Sequence, residues 1–229
     1  MLTLAIDTTT RSGSVALLRD DALLRVLTEN SAEEYSSRLF RQIEILFLET
    51  ALGLPMVDLY AVAAGPGSFT GLRVGLTAVK GWAEAFGRPI APVSALHAVA
   101  SLARSECPLV APLMDARRGQ VFGGLYERNG ARLARRGDEV VMSAAEFLLE
   151  ISNRTDGRAL CFVAPTPEVL SNLGPPGARI VEQIAGPLAP AIAALGRAAA
   201  AAGETVDALH LDANYVRRSD AELLWKDPL

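Results

Sequence analysis

Asp7 ends an apolar run and is followed by Thr8, Thr9 and Thr10; Asp115 ends another and is followed by Ala-Arg-Arg-Gly. An acid and hydroxyls at a strand end suit two kinds of chemistry. Backbone N–H groups and hydroxyls in such a turn can cradle a phosphate while the carboxylate holds a metal-bound water. The same groups can instead close a β-turn by side-chain hydrogen bonds. Close approach of phosphate to backbone calls for glycine, and Thr8 and Thr9 are both β-branched, so turn closure is favoured. The second unusual stretch is Gly65-Pro66-Gly67-Ser68-Phe69-Thr70-Gly71. No Lys follows these glycines as in a Walker loop, and their spacing is not G-x-G-x-x-G. A helix beginning here can attract an anion at its N-terminus. Alternatively, Ser68 or Thr70 caps that helix and the glycines make a tight corner, which is the favoured reading.

Other chemistries find few residues. The two histidines, His97 and His210, are far apart and form no H-E-x-x-H or H-x-x-x-H pair, so a histidine-based metal site is not expected. Cys107 and Cys161 have neither metal-ligand spacing nor a C-x-x-C arrangement and are expected to be reduced thiols in a cytoplasmic protein. No G-x-S-x-G elbow is present, and Glu33-Glu34 reads as the first turn of a helix. Across 229 residues the net charge is −4, a poor balance for gripping nucleic acid alone. No apolar run is long enough to span a membrane.

The elements that must carry these residues follow from periodicity. Residues 1–7 and 14–28 predict three strands, 31–52 a helix, 57–65 a buried strand, and 70–86 a helix ended by Gly87 and Pro89. A strand at 89–94 follows, with Ser94 capping a helix to about residue 104. The pattern then begins again at Pro108: apolar run, Asp115, turn with Gly119, strand, Asn-Gly turn, strand. Helices at 143–152, near 167–173 and at 190–202 alternate with strands at 158–163 and 178–181. Repetition on this scale predicts two copies of one α/β unit, each a three-stranded meander beside parallel strands with crossover helices. Two such units with facing acid-tipped hairpins describe the actin/Hsp70/sugar-kinase-like fold, with the second unit reduced. The expected division is 1–106 plus 211–229, and 107–210.

The helices carry more apolar surface than one face requires. In 70–86 a core stripe of Leu72, Gly75, Leu76, Val79, Trp82, Ala83 and Phe86 is accompanied by a second of Val74, Ala78, Gly81 and Ala85. In 31–52, Tyr35, Leu39, Phe40, Ile43, Leu46, Phe47 and Ala51 form the expected core side, with Ile45, Leu48 and Leu52 elsewhere beside Arg41. The spare surface is either an interface with another chain or buried under this chain's own helices.

"LAIDTTTRSGSVALL", "AVAAGPGSFTGLRVGLTAVKGWAEAFGRPIAPVSALHAVA", "LMDARRGQVFGGLY" and "ANYVRRSDAE" occur in that order. Nearly end to end, the chain resembles the TsaB (YeaZ) family, bacterial partners in making threonylcarbamoyl-adenosine in tRNA. It departs where relatives often place a His-Ser pair opening the first helix, having "EEYSSRLF", and in "NYVRR" near the end. The resemblance implies a non-catalytic paralogue of TsaD, the threonylcarbamoyl transferase. It implies a heterodimer with TsaD, recruitment of the ATPase TsaE, a homodimer when alone, tRNA met only through the complex, and no membrane. No cofactor is implied for this chain: ATP and metal belong to the partners, with at most weak nucleotide binding in a vestigial cleft at Asp7, Thr8 and Asp115. The partner interface carries over to Arg41, Ile45, Leu48, Leu52, Val74, Ala78, Gly81 and Ala85. On that basis Gly75→Val and Gly81→Leu are expected to weaken pairing more than folding. The competing readings are an active nucleotide-dependent kinase or ATPase using Asp7 and Asp115 and, last, a glycoprotease-like metallopeptidase.

Overall fold

The computed structural model describes residues 1–29, 34–171 and 180–217. The first unit begins with β1 (Leu2–Asp7), β2 (Ser14–Arg19) and β3 (Ala22–Thr28), an antiparallel meander. Helix α1 (Tyr35–Thr50), β4 (Leu59–Gly65), α2 (Phe69–Phe86), β5 (Ile90–Ser94) and α3 (Ala95–Ser101) follow, and β4 and β5 extend the sheet in parallel. The strand order is β3-β2-β1-β4-β5.

The second unit repeats this topology with a split meander. Strand β6 (Leu109–Arg117) pairs along one edge with both β7 (Gln120–Gly123) and β8 (Tyr126–Asn129). These pair outward with β10 (Val140–Ser143) and β9 (Arg132–Arg135) respectively. The single second strand predicted around Gly123-Gly124 is therefore two. A Cβ at Gly123, the last residue of β7, would lie 2.6 Å from Phe147 Cζ, so glycine there gives the buried ring room. On the other edge β6 pairs with β11 (Leu160–Ala164), and β11 with β12 (Ile180–Gln183), with α4 (Ala144–Ser152) and α5 (Pro167–Ser171) as crossovers. Ser143 caps α4 in a capping box with Glu146. The chain then forms α6 (Ala189–Ala201).

Side chains alternate across the first sheet. Leu4, Ile6, Leu17, Tyr60 and Val62 face α1 and α2, whereas Ala5, Ala16, Ala61 and Ala63 face the interior between the units. The small face exists for α6, which lies on β1, β2, β4 and β5. Helix α3 does the converse, packing on β6 and β9. Each unit's last helix thus covers the other unit's sheet, and both share one core with Val110, Met114, Phe122 and Val163. A third cluster, with Phe147, Ile151 and Phe162, lies under α4 and α5. In sequence α6 falls within the expected 107–210 unit, and it packs on the first unit's sheet. Val206 bridges Ile90 and Leu211 joins the first unit's core, so the return is made well before residue 211. Residues 218–229 of the expected tail lie outside the described residues.

A Cβ at Gly196 of α6 would meet Ala61 Cβ at 2.6 Å and Ala91 Cβ at 3.2 Å. Gly196→Val is expected to cost about 1–3 kcal/mol of stability by overpacking, read from urea unfolding.

Candidate functional site: the Asp7 turn, the glycine helix and the groove beside it

Asp7 is 2% exposed, and its Oδ1 accepts hydrogen bonds from Thr9 N at 2.8 Å and Thr9 Oγ1 at 2.6 Å. Burial pushes its carboxyl up, opposed by the two Thr9 bonds and the Arg38 charge. Each hydrogen bond to a charged group contributes about 1.5–3 kcal/mol, while stripping water from a carboxylate costs several, so desolvation keeps the upper hand. Arg38, 2% exposed, is held by the Arg11 carbonyl at 2.5 Å and lies over Tyr35. The turn-closing reading of Asp7 is the one the geometry supports.

What covers the turn is α2. Gly71 and Gly75, four residues apart, lie along one stripe of α2, and Gly67 stands just before its N-cap. A Cβ at Gly67 would sit 2.5 Å from Thr9 Cβ and 2.7 Å from Thr9 O; one at Gly71 would overlap the Thr8 carbonyl oxygen; one at Gly75 would overlap Thr8 Oγ1. Ser68 N donates to Thr9 O at 2.8 Å. Backbone therefore lies on backbone where the fold's phosphate turn would need space, and Thr8, 3% exposed, keeps an Oγ1 without a hydrogen-bond partner. Ser68 is the N-cap, accepting from Gly71 N at 3.3 Å, while Thr70 is exposed. Phe69 stacks with Tyr215 at 5.2 Å and carries the Arg73 guanidinium 3.9 Å above its ring. Gly65 has φ 120°, a conformation L side chains rarely adopt, joins Pro66 through a cis peptide bond, and has Asn214 O against it.

Asp115 has a different environment. It is exposed, and its Oδ1 accepts from Arg117 N at 2.7 Å within its own hairpin, where Arg117 and Arg118 are left-handed. Among the described residues, no three of His, Cys, Asp and Glu gather as metal ligands would.

The flank of α2 beside these glycines, about a quarter-turn round the helix, faces α1 and opens outward. With α1 it walls a groove of about 490 Å³ lined by Phe40, Arg73, Val74, Ala78, Gly81 and Trp82, with Ser36 and Thr77. Nothing lies within 4 Å of a Cβ placed on Gly81. Val74, Ala78 and Gly81 are thus brought together, and Ala85 is exposed on the same helix. Phe40, assigned above to the core side, is corrected: it is 52% exposed and stands edge-on to Trp82 at 6.1 Å. At about 100° per residue it lies on the flank of α1 toward α2, while Arg41 and Ile45 lie on the other flank. Arg41 binds Glu29 beside β3 at 2.7 Å, Leu48 is 80% exposed and Leu52 is half-buried against the core. The expected contribution of Gly75 to an interface is also corrected, since Gly75 is buried against Thr8.

One cluster had no signal in the sequence. Glu139, 8% exposed, accepts from Tyr126 OH at 2.6 Å, from Ser94 Oγ, and from Asn214 Nδ2 at 2.6 Å. His97 stacks on Tyr126 at 5.1 Å. These residues come from four separate stretches, and no local spacing announces them.

Two predictions follow from the glycine stripe and from His97. Gly71→Ala is expected to lose about 1–3 kcal/mol, and Gly81→Ala to gain about 0.5–1 kcal/mol from helix propensity alone, both from urea unfolding. Burial lowers the His97 pKa below its ordinary value, opposed by Glu139. The stability held by its neutral form is therefore present above the unfolded value and lost as pH falls through it into the acid range. His97→Gln is expected to flatten this part of the stability–pH curve, measured by thermal melting.

The family model described as "TsaD: tRNA N6-adenosine threonylcarbamoyltransferase" matches residues 26–185. The "tRNA threonylcarbamoyladenosine biosynthesis protein TsaB" of Bacillus subtilis is 37% identical over 131 residues, covering 57% of this chain and 57% of that protein. The alignment thus spans little more than half the length of that curated relative. The solved structure "YeaZ from Pseudomonas aeruginosa" overlays with a TM-score of 0.79 at 28% identity, covering 93% of this chain and 99% of that one. The ethanolamine utilization protein EutJ of Carboxydothermus hydrogenoformans overlays with a TM-score of 0.51 at 12% identity over 86% of this chain and 90% of its own, a likeness of fold alone. With the GPGSFTGLRVG helix seated on the Asp7 turn, a family match across most of the chain and a nearly full-length structural overlay, this chain belongs to the TsaB (YeaZ) family of TsaD-like proteins.

Proposed function

We propose that this chain is a cytoplasmic, non-catalytic partner subunit in threonylcarbamoyl-adenosine formation on tRNA. It docks a TsaD-type transferase through the α1/α2 face, and the resulting pair admits a TsaE-type ATPase. The observation that carries this reading is the groove: apolar side chains and a bare glycine line it, on the flank of α2 beside the stripe that packs the Asp7 turn shut. A helix that closes a phosphate turn with one stripe and offers small residues with another is suited to pairing rather than to nucleotide chemistry. The vestigial cleft at Asp7, Thr8 and Asp115 then needs no cofactor, ATP and metal stay with the partners, and tRNA is met through the complex. Alone, the same apolar face supports a homodimer.

Light scattering after size exclusion, on the chain alone and mixed with TsaD from the same source, tests the reading. A one-to-one complex that replaces any homodimer is expected. Phe40→Glu and Gly81→Arg are each expected to weaken that complex about tenfold or more by calorimetry, with melting temperatures near wild type because both sites are exposed. Magnesium-dependent ATP binding by the isolated chain that disappears in Asp7→Ala would favour the nucleotide-dependent enzyme instead.

A further inference from the structure

Residues 211–217 run across the mouth between the two units, at the carboxyl ends of β4 and β6, and hold both. In the first unit Leu211 is 2% exposed within the core, and Asn214 N donates to Ala64 O at 2.7 Å. In the second, Asn214 Nδ2 donates to Glu139, and Arg217 donates to Ala116 O at 2.7 Å and to Gln120 Oε1. Between these anchors Tyr215 lies against Phe69, at the first turn of α2.

The anchor at Glu139 is strongly constrained by its chemistry. A nearly buried carboxylate must have its oxygens satisfied. Among the described residues three neutral donors from three places satisfy them: Ser94 at the start of α3, Tyr126 of β8, and Asn214 of the segment itself. Removing Asn214 leaves Oε2 without that donor, so the carboxylate favours the state in which the segment is seated. The second anchor reaches the groove. Tyr215 braces Phe69, Phe69 carries the Arg73 guanidinium, and Arg73 lines the groove beside α1.

We propose that residues 211–217 form a positioning strap that holds the two units at one angle and, through Tyr215 and Phe69, sets the first turn of α2 and the Arg73 end of the groove. The consequence for docking rests on the function proposed above; the strap's hold on the two units does not.

The test uses the full chain with Tyr215→Ala, Tyr215→Phe and Asn214→Ala. Hydrogen exchange of the isolated protein is expected to quicken about tenfold in the first turn of α2 for Tyr215→Ala. Asn214→Ala is expected to act likewise on the β6–β7 hairpin, and Tyr215→Phe, which keeps the ring, to match wild type. Changes confined to residues 211–217, or Tyr215→Phe behaving as Tyr215→Ala, would overturn the strap. Tyr215 is 45% exposed, so its variants decide the matter if Asn214→Ala fails to fold. Calorimetry against TsaD separates the two proposals. If wild type binds and Tyr215→Ala binds equally well, the link to the groove fails and the docking function stands. If wild type does not bind, the docking function fails, and the exchange result still decides whether the strap holds the units.

Discussion

The rest of the first unit depends on backbone lying against backbone where α2 crosses the Asp7 turn. Gly67, Gly71 and Gly75 permit that approach, and Thr8 and Thr9 fill the space that the absent side chains leave. The contact fixes the depth and rotation of α2 at once. One stripe is committed to the turn, Leu76, Val79 and Ala83 go to the sheet, and Val74, Ala78 and Gly81 are left beside α1. The groove thus lies on the flank of α2 next to the glycine stripe.

The same use of small residues recurs between the units. Ala5, Ala16, Ala61 and Ala63 give the first sheet a shallow inner face, and the alanine-rich α6, with Gly196 at its closest point, lies directly on it. Because α3 in turn lies against the second sheet, neither unit completes its own core. Two half-cores closed by exchanged helices make the pair one cooperative body. The mouth opposite this shared core is where Glu139 and the 211–217 segment add a polar fastening to an apolar one.

The two acid-tipped hairpins are turned to different ends. Asp7 is buried and occupied by Thr9, whereas Asp115 is exposed and occupied by its own turn. The exposed chemistry has moved to aromatic and small aliphatic side chains on α1 and α2. These are the side chains that the docking proposed above would use.

The sequence by itself determined the repeated units and the corner at residues 65–71, because each rests on local signals: alternation along strands, acids at strand ends, glycine and capping serine at a helix start. It also marked the surplus apolar stripe of α2, since helical periodicity is local too. Only the tertiary structure decided which residues of α1 join that stripe, placing Phe40 in the groove and Arg41 against Glu29. The pattern put Gly75 and Gly81 on different stripes, but what stands opposite each, Thr8 in one case and open space in the other, came only from the fold. The exchange of α3 and α6 and the Glu139 cluster were invisible for the same reason. They join residues far apart in the chain, and no spacing along a sequence encodes a distance across a fold.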